Sequence, residues 1–201
     1  MNGFHRREFL AGALGAGSLM LVPAMARADV DKRMPQALLD RAKASLDTHA
    51  GRIAHRDRIA IADFSRPSAE ARFFLVDLAA GMTTSYRVAH GRGSDPAHSG
   101  WLQRFSNVDG SAASSRGAYV TGSTYEGSNG HSRRLNGLDP TNSNAYERAI
   151  VIHGAWYAND DMVARYGKLG RSEGCFAFAE PMLAEIMGQL GEGRMIYADK
   201  G

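Results

Sequence analysis

Residues 148–158 read RAIVIHGAWYA, and residues 169–178 read LGRSEGCFAF. The first stretch is a strongly apolar run that ends on His153 and Gly154. It predicts a buried strand with the imidazole at the sheet edge rather than in the core. The second holds Cys175, the only cysteine in the chain. The two residues lie 22 positions apart, a distance that a strand, a loop and a returning segment can close. A thiol beside a histidine base is the minimum set for acyl transfer through a thioester. Cys175 precedes a predicted helix, so backbone N–H groups are expected to lower its pKa. Gly174 permits close backbone approach, and its N–H with that of Cys175 is a candidate oxyanion hole. Each residue alone has a plainer reading. A lone cysteine is more often an inert buried hydrophobe, and a lone histidine more often structural.

The N-terminus bears on why an unpaired thiol is kept. It reads MNGFHRREFLAGALGAGSLMLVPAMARADV, with Arg6 and Arg7 ahead of Phe9 and Leu10 in a twin-arginine arrangement. The apolar run from Ala11 to Val22 is too short to span a bilayer, which takes roughly 20 residues. It fits the apolar region of a signal peptide, with small residues in AMARA for cleavage after Ala28 or Ala26. Residues 1–28 are therefore expected to be a twin-arginine signal, and the mature chain periplasmic with no membrane span. Removing them takes out three arginines and one glutamate, so the net charge falls from +3 to about +1. No basic stripe remains to suggest nucleic acid. In an oxidising compartment one cysteine cannot pair within its own chain, which leaves a link to another molecule, an inert thiol or a reactive one.

Along the rest of the chain, PQALLDRAKASLDTHA (35–50) carries Leu38, Leu39, Ala42 and Leu46 at helical spacing behind Pro35. It predicts an amphipathic helix within an N-terminal helical segment, 29–54. RIAIADFS (58–65), RFFLVDLA (72–79) and TTSYRVAHG (83–91) read as three close antiparallel strands. Residues 91–117, rich in Gly, Ser and Asn, form a long loop, a feature often functional in compact domains and expected here to cap the pocket. AYVTGSTYEG (118–127) is a further strand. SNGHSRRLNGLDPTNSNAYER reads as loop with a helical turn near Ala145. AEPMLAEIMGQLG (179–191) is a helix whose apolar face includes Met182, Leu183, Ile186, Met187 and Leu190, and RMIYAD (194–199) closes as a strand. The expected fold class is mostly β, a β-rich α+β domain.

VIHGAWY followed by GRSEGCFAF resembles the active-site signature of the L,D-transpeptidase catalytic domain, the YkuD-type fold. More closely, the chain is similar to a murein L,D-transpeptidase branch carrying Gly-Arg-Ser-x-Gly-Cys. IADFSRPS, RFFLVDL, VAHGRGS, FSNVDGSAASSRGAY and TGSTYEGSNGHSRRLNGLD extend the resemblance over roughly residues 55–198. It implies a β-sandwich with a few short helices and a catalytic domain over 55–201. Cys175 then matches the nucleophile and His153 the general base. Ser172 matches a motif serine that lines the pocket and orients the histidine, and Gly174 the glycine of the oxyanion hole. Glu173 departs from the commoner pattern, which has histidine there. It leaves Arg171 and Glu173 adjacent as a possible ion pair.

Candidate substrate-binding residues are Arg171, whose fork can hold a stem-peptide carboxylate, and Gly154, Trp156 and Tyr157 just past the base. Trp156 and Tyr157 read equally as core. Tyr125, Ser115 and Ser114 are further candidates in the matched loops. His90, His98 and His131 show no metal-ligand spacing, so neither a metal nor a cofactor is expected. The implied function is peptidoglycan L,D-transpeptidation, with donor and acceptor stem peptides as partners, a monomeric chain and sensitivity to carbapenems. The alternatives are an L,D-carboxypeptidase, in which water replaces the acceptor amine, and a non-catalytic cell-wall binding module.

Overall fold

A computed structural model describes residues 34–201. The expected signal, with Arg6 and Arg7, lies outside the described residues, as do residues 29–33. Helix α1 (Gln36–Thr48) begins at Pro35, whose carbonyl accepts from the N–H groups of Leu38 and Leu39. It buries Leu38, Leu39, Ala42 and Leu46, the stripe its periodicity predicts.

Eight strands follow: β1 (Arg58–Asp63), β2 (Phe73–Asp77), β3 (Met82–Tyr86), β4 (Gly117–Gly127), β5 (Gly130–Gly137), β6 (Val151–Gly154), β7 (Phe176–Phe178) and β8 (Met195–Asp199). They form one mixed sheet in the order β3-β2-β1-β8-β4-β5-β6-β7. The first three strands are the expected antiparallel meander. β8 inserts beside β1 in parallel, and β7 lies parallel to β6.

Strand alternation divides the side chains into two layers. Ile59, Ile61, Phe74, Val76, Met195 and Tyr197 cluster with the buried stripe of α1. Ala60, Ala62, Phe73, Leu75, Ile196 and Ala198 face the other way, into a core shared with Tyr119, Ile152, Phe176 and Phe178. Phe73 and Phe178 stand on strands six places apart, a separation of roughly 28 Å in a flat sheet. Their rings are nevertheless 4.8 Å apart, edge to face. The sheet therefore rolls over on itself into a β-sandwich-like closure. β4 helps it turn: its register with β5 breaks between Thr121 and Thr124, and such a bulge bends and twists a strand. Helices α2 (Asp160–Tyr166) and α3 (Leu183–Gln189) complete a β-rich α+β fold.

Several elements differ from expectation. β5 occupies part of the segment read as loop. Its polar sequence, GHSRRLNG, is stabilised by ladders on both sides rather than by apolar alternation. The apolar strand of 148–158 contracts to β6, because Ala149 turns to a φ of 52°. The helix expected over 179–191 is a 3-10 turn at Glu180–Met182 followed by α3, which leaves Met182 40% exposed and outside the core. α2 and β7 were not anticipated. Among the described residues, no helix is long and apolar enough to cross a membrane.

Phe73 is the ring on which both Phe176 and Phe178 close. Phe73→Ala is expected to lower unfolding stability by about 3–5 kcal/mol, measured by urea denaturation.

Candidate active site

β6 and β7 build the site by the same alternation. Ile152, Phe176 and Phe178 point into the core. His153 and Cys175 fall on the opposite side, with His153 paired to Ala177 and Ile152 to Phe176. His153 lies on β6, and Cys175 occupies the turn immediately ahead of β7. A small cluster of Ala89, Ala155, Ala158, Leu169 and Ala177 is buried beside Tyr157, Met162 and Val163. A cleft of about 410 Å³ is lined by both His153 and Cys175.

His153 is buried, and its Nδ1 lies 2.8 Å from the Gly154 carbonyl oxygen. A carbonyl only accepts, so Nδ1 carries the proton and Nε2 keeps its lone pair. Burial pushes the imidazole pKa below its ordinary value, partly opposed by that hydrogen bond. Burial likewise pushes the Cys175 thiol up, opposed by a backbone hydrogen bond from Val151. Glu173 adds to the rise, and the Arg148 charge opposes it. Sγ donates to Ala149 O at 3.5 Å. The resting pair is a protonated thiol beside a neutral imidazole. The expected lowering by a following helix does not arise, because Cys175 leads into β7 and strands carry little net dipole.

The turn before Cys175 is stapled by Ser172. Its Oγ accepts from the Gly174 N–H at 3.1 Å and donates to the Cys175 carbonyl at 2.7 Å. Ser172 therefore orders the turn that carries Cys175, and no contact to His153 accounts for it. The Gly174 N–H is engaged by this staple rather than directed at an oxyanion. Glycine is required there on other grounds: φ is +117°, and a Cβ would come within 2.7 Å of Ala113 O and the Ile150 side chain.

The remaining candidates divide. Arg171 lines the cleft, but its guanidinium donates to the carbonyls of Asp95 and Pro96. It forms no pair with Glu173, which instead accepts from Arg92. Gly154, Trp156 and Tyr157 line an adjoining pocket of about 310 Å³ that reaches His153. Trp156, 67% exposed, is wall and not core. Tyr125 lies off the cleft, under the Arg134 guanidinium. Ser115 and Ser114 are also off it and buried: Ser115 Oγ accepts from Arg148 at 2.6 Å, and Ser114 Oγ accepts from the Gly91 N–H. His90, His98 and His131 bond elsewhere, to Arg72, Leu169 O and Glu126. Among the described residues, no three of His, Cys, Asp and Glu group as a metal site.

Sequence reasoning missed Arg148, Ser128 and Asn129 as cleft residues. The Asn129-Gly130 pair between β4 and β5 is a hairpin-turn signal that could have placed the last two. Nothing in the sequence marks Arg148, whose guanidinium reaches Ser106, Ser111, Ala113 and Ser115 through folding alone.

A family model described as the L,D-transpeptidase catalytic domain matches residues 30–198, and the chain belongs to that family. Solved structures with a similar fold include an L,D-transpeptidase from Mycobacterium smegmatis, at 13% identity and a TM-score of 0.44, covering 71% of this chain and 58% of that one. Another is the helical cell shape determining protein Pgp2 from Campylobacter jejuni, at 11% identity and a TM-score of 0.47, covering 83% and 57%. L,D-transpeptidase 3 from Mycobacterium tuberculosis, in complex with a faropenem-derived adduct, matches at 12% identity and a TM-score of 0.43, covering 72% and 60%. The chain thus spans less than two thirds of the length of these proteins. No curated protein matches it significantly.

Because Cys175 is the sole cysteine, iodoacetamide reads one site. Its alkylation is expected to be slow near neutrality and to rise with pH through a midpoint above that of a free thiol. A midpoint below the free-thiol value would overturn the protonated resting state.

Proposed function

We propose that the chain is a peptidoglycan L,D-transpeptidase working through a cysteine thioester. The observation that carries this reading is that Cys175, in the turn before β7, and His153, on β6, line one cleft, with the histidine Nδ1 pinned by the Gly154 carbonyl. In the reaction, Nε2 of His153 takes the thiol proton as Sγ bonds to the carbonyl carbon at an L-centre of the donor stem. The tetrahedral intermediate collapses, and the D-residue leaves as an amine that carries the proton from His153. An acceptor amine then attacks the thioester, loses a proton to His153 and returns Sγ as the thiol. The products are cross-links or D-amino-acid exchange. With the Gly174 N–H engaged by Ser172, oxyanion stabilisation falls to the Cys175 N–H, which lies against its own sulfur.

The working arrangement follows. Residues 1–28 direct export by the twin-arginine route to the periplasm, 29–54 form a helical prop, and 55–201 are the catalytic domain. The partners are donor and acceptor stem peptides. Trp156 and Tyr157 wall one arm of the site.

Incubation with a carbapenem is expected to give an intact-mass adduct that Cys175→Ala abolishes; absence of an adduct on the wild-type chain sinks the reading. With tetrapeptide muropeptides, cross-linked dimers are expected, whereas tripeptide alone marks a carboxypeptidase. Binding without turnover marks a non-catalytic module. His153→Ala is expected to slow acylation by about 10²–10⁴-fold. Since the His153 pKa is depressed, the wild-type acid limb should fall below the ordinary histidine range. A neutral His153→Ala variant would remove the base assignment.

A further inference from the structure

Three arginines stand around the cleft, and the fold uses them differently. Arg148 donates through Nη1 and Nη2 to four protein oxygens, and Arg171 gives Nη1 to two backbone carbonyls. Arg92 is the one of the three that holds a carboxylate. Its Nε and Nη2 both donate to a single oxygen, Glu173 Oε1, at 3.2 and 3.0 Å. Both side chains are mostly in solvent, 61% and 76% exposed. The pair lines a pocket of about 260 Å³ that shares Arg148 and Glu173 with the cleft of Cys175 and His153. Asp109 is the other carboxylate lining that pocket.

The backbone beneath Arg92 is fixed to the catalytic turn. The Arg92 N–H donates to Ser172 O at 2.7 Å, and Gly91 bridges to Ser172. A Cβ at Gly91 would lie 2.4 Å from Ala112 O and 2.8 Å from the Gly174 nitrogen, so the segment passes between loop and turn with no slack. A planar guanidinium fork is therefore held rigidly at its base and loosely at its tip, one pocket away from the nucleophile. An exposed ion pair to one oxygen is weak and exchanges readily, whereas a guanidinium can take a substrate carboxylate through two parallel bonds. Arg148 and Arg171 hold further positive charge nearby without offering the same free geometry.

We propose that Arg92 is a specificity-determining carboxylate receptor, and that Glu173 occupies it until a carboxylate of the stem peptide takes its place. The inference rests on the transpeptidase reading and gives it a substrate class: stem peptides with a free carboxylate in preference to their carboxamide forms. A carboxamide lacks the charge and keeps one acceptor oxygen in place of two, its NH2 finding no acceptor on the guanidinium.

The test separates binding from turnover. In the Cys175→Ala background, calorimetry is run with a tetrapeptide stem and with its versions in which single carboxylates are converted to carboxamides. At least one conversion is expected to weaken binding about tenfold, the scale of one charge-assisted pair in a half-exposed cleft. Adding Arg92→Ala should erase that difference, and Arg92→Lys should restore part of it. Glu173→Gln should tighten the carboxylate form several-fold and leave the carboxamide form unchanged, and added salt should shrink the preference. If no conversion weakens binding, if no peptide binds, or if the preference survives Arg92→Ala, the proposal is wrong. A carboxylate preference in a wild-type chain that forms no acyl-enzyme would instead remove the transpeptidase reading and leave this one standing.

Discussion

Phe176 and Phe178 reach across the rolled sheet to Phe73, and that closure fixes where Cys175 can stand. β7 is three residues long, and two of them are anchored in the core. Anchoring Phe176 holds the entry to the strand, and from there Cys175 lines the same cleft as His153 on β6. A one-residue slip of β7 would bury the thiol in the aromatic core and turn phenylalanine toward the loops. The large apolar area on one face thus specifies the chemistry on the other. Tyr119, edge-to-face with Phe176 at 5.4 Å, extends the same restraint to the middle of the sheet.

Burial on this face also sets the protonation state. An ion pair between thiolate and imidazolium would need solvation that the burial of both groups withholds. Both groups are therefore held neutral, the thiol by a raised pKa and the imidazole by a lowered one. A neutral histidine with Nε2 free is the form that can accept a proton. The Gly154 carbonyl keeps the imidazole from turning its protonated nitrogen to the sulfur.

The fold was legible in the sequence where apolar side chains carry the burial. The α1 stripe buries one face, and the near-continuous apolar runs of β1, β2 and β8 bury both. β5 was not legible, since its stability comes from backbone ladders to β4 and β6 that leave no pattern in GHSRRLNG. At the site, Cys175 and His153 could be paired from motif and spacing. Ser115 and Tyr125 were misplaced because membership of a matched loop says nothing of which way a side chain turns. Arg171 and Glu173 are close in sequence, yet neighbours in a tight turn diverge, and Glu173 meets Arg92 from a segment 81 positions away.

That segment rests on a buried polar foundation. The Arg72 guanidinium, fully buried, donates to Val88 O, Arg66 O and Nδ1 of His90. Arginine only donates, so His90 Nδ1 accepts, and its proton sits on Nε2, facing Asp95 Oδ2 at 3.4 Å. Burial, with the Arg72 charge beside it, pushes His90 down to about 3, and the ring stays neutral across physiological pH. Asp95 is held by the N–H groups of Ser99 and Gly100, while its carbonyl receives Arg171. The His90 carbonyl accepts the Ser172 N–H at 2.9 Å, which joins this assembly to the staple of the turn before Cys175. With His90 neutral and Arg72 donating to fixed acceptors, that support holds one hydrogen-bond pattern across physiological pH.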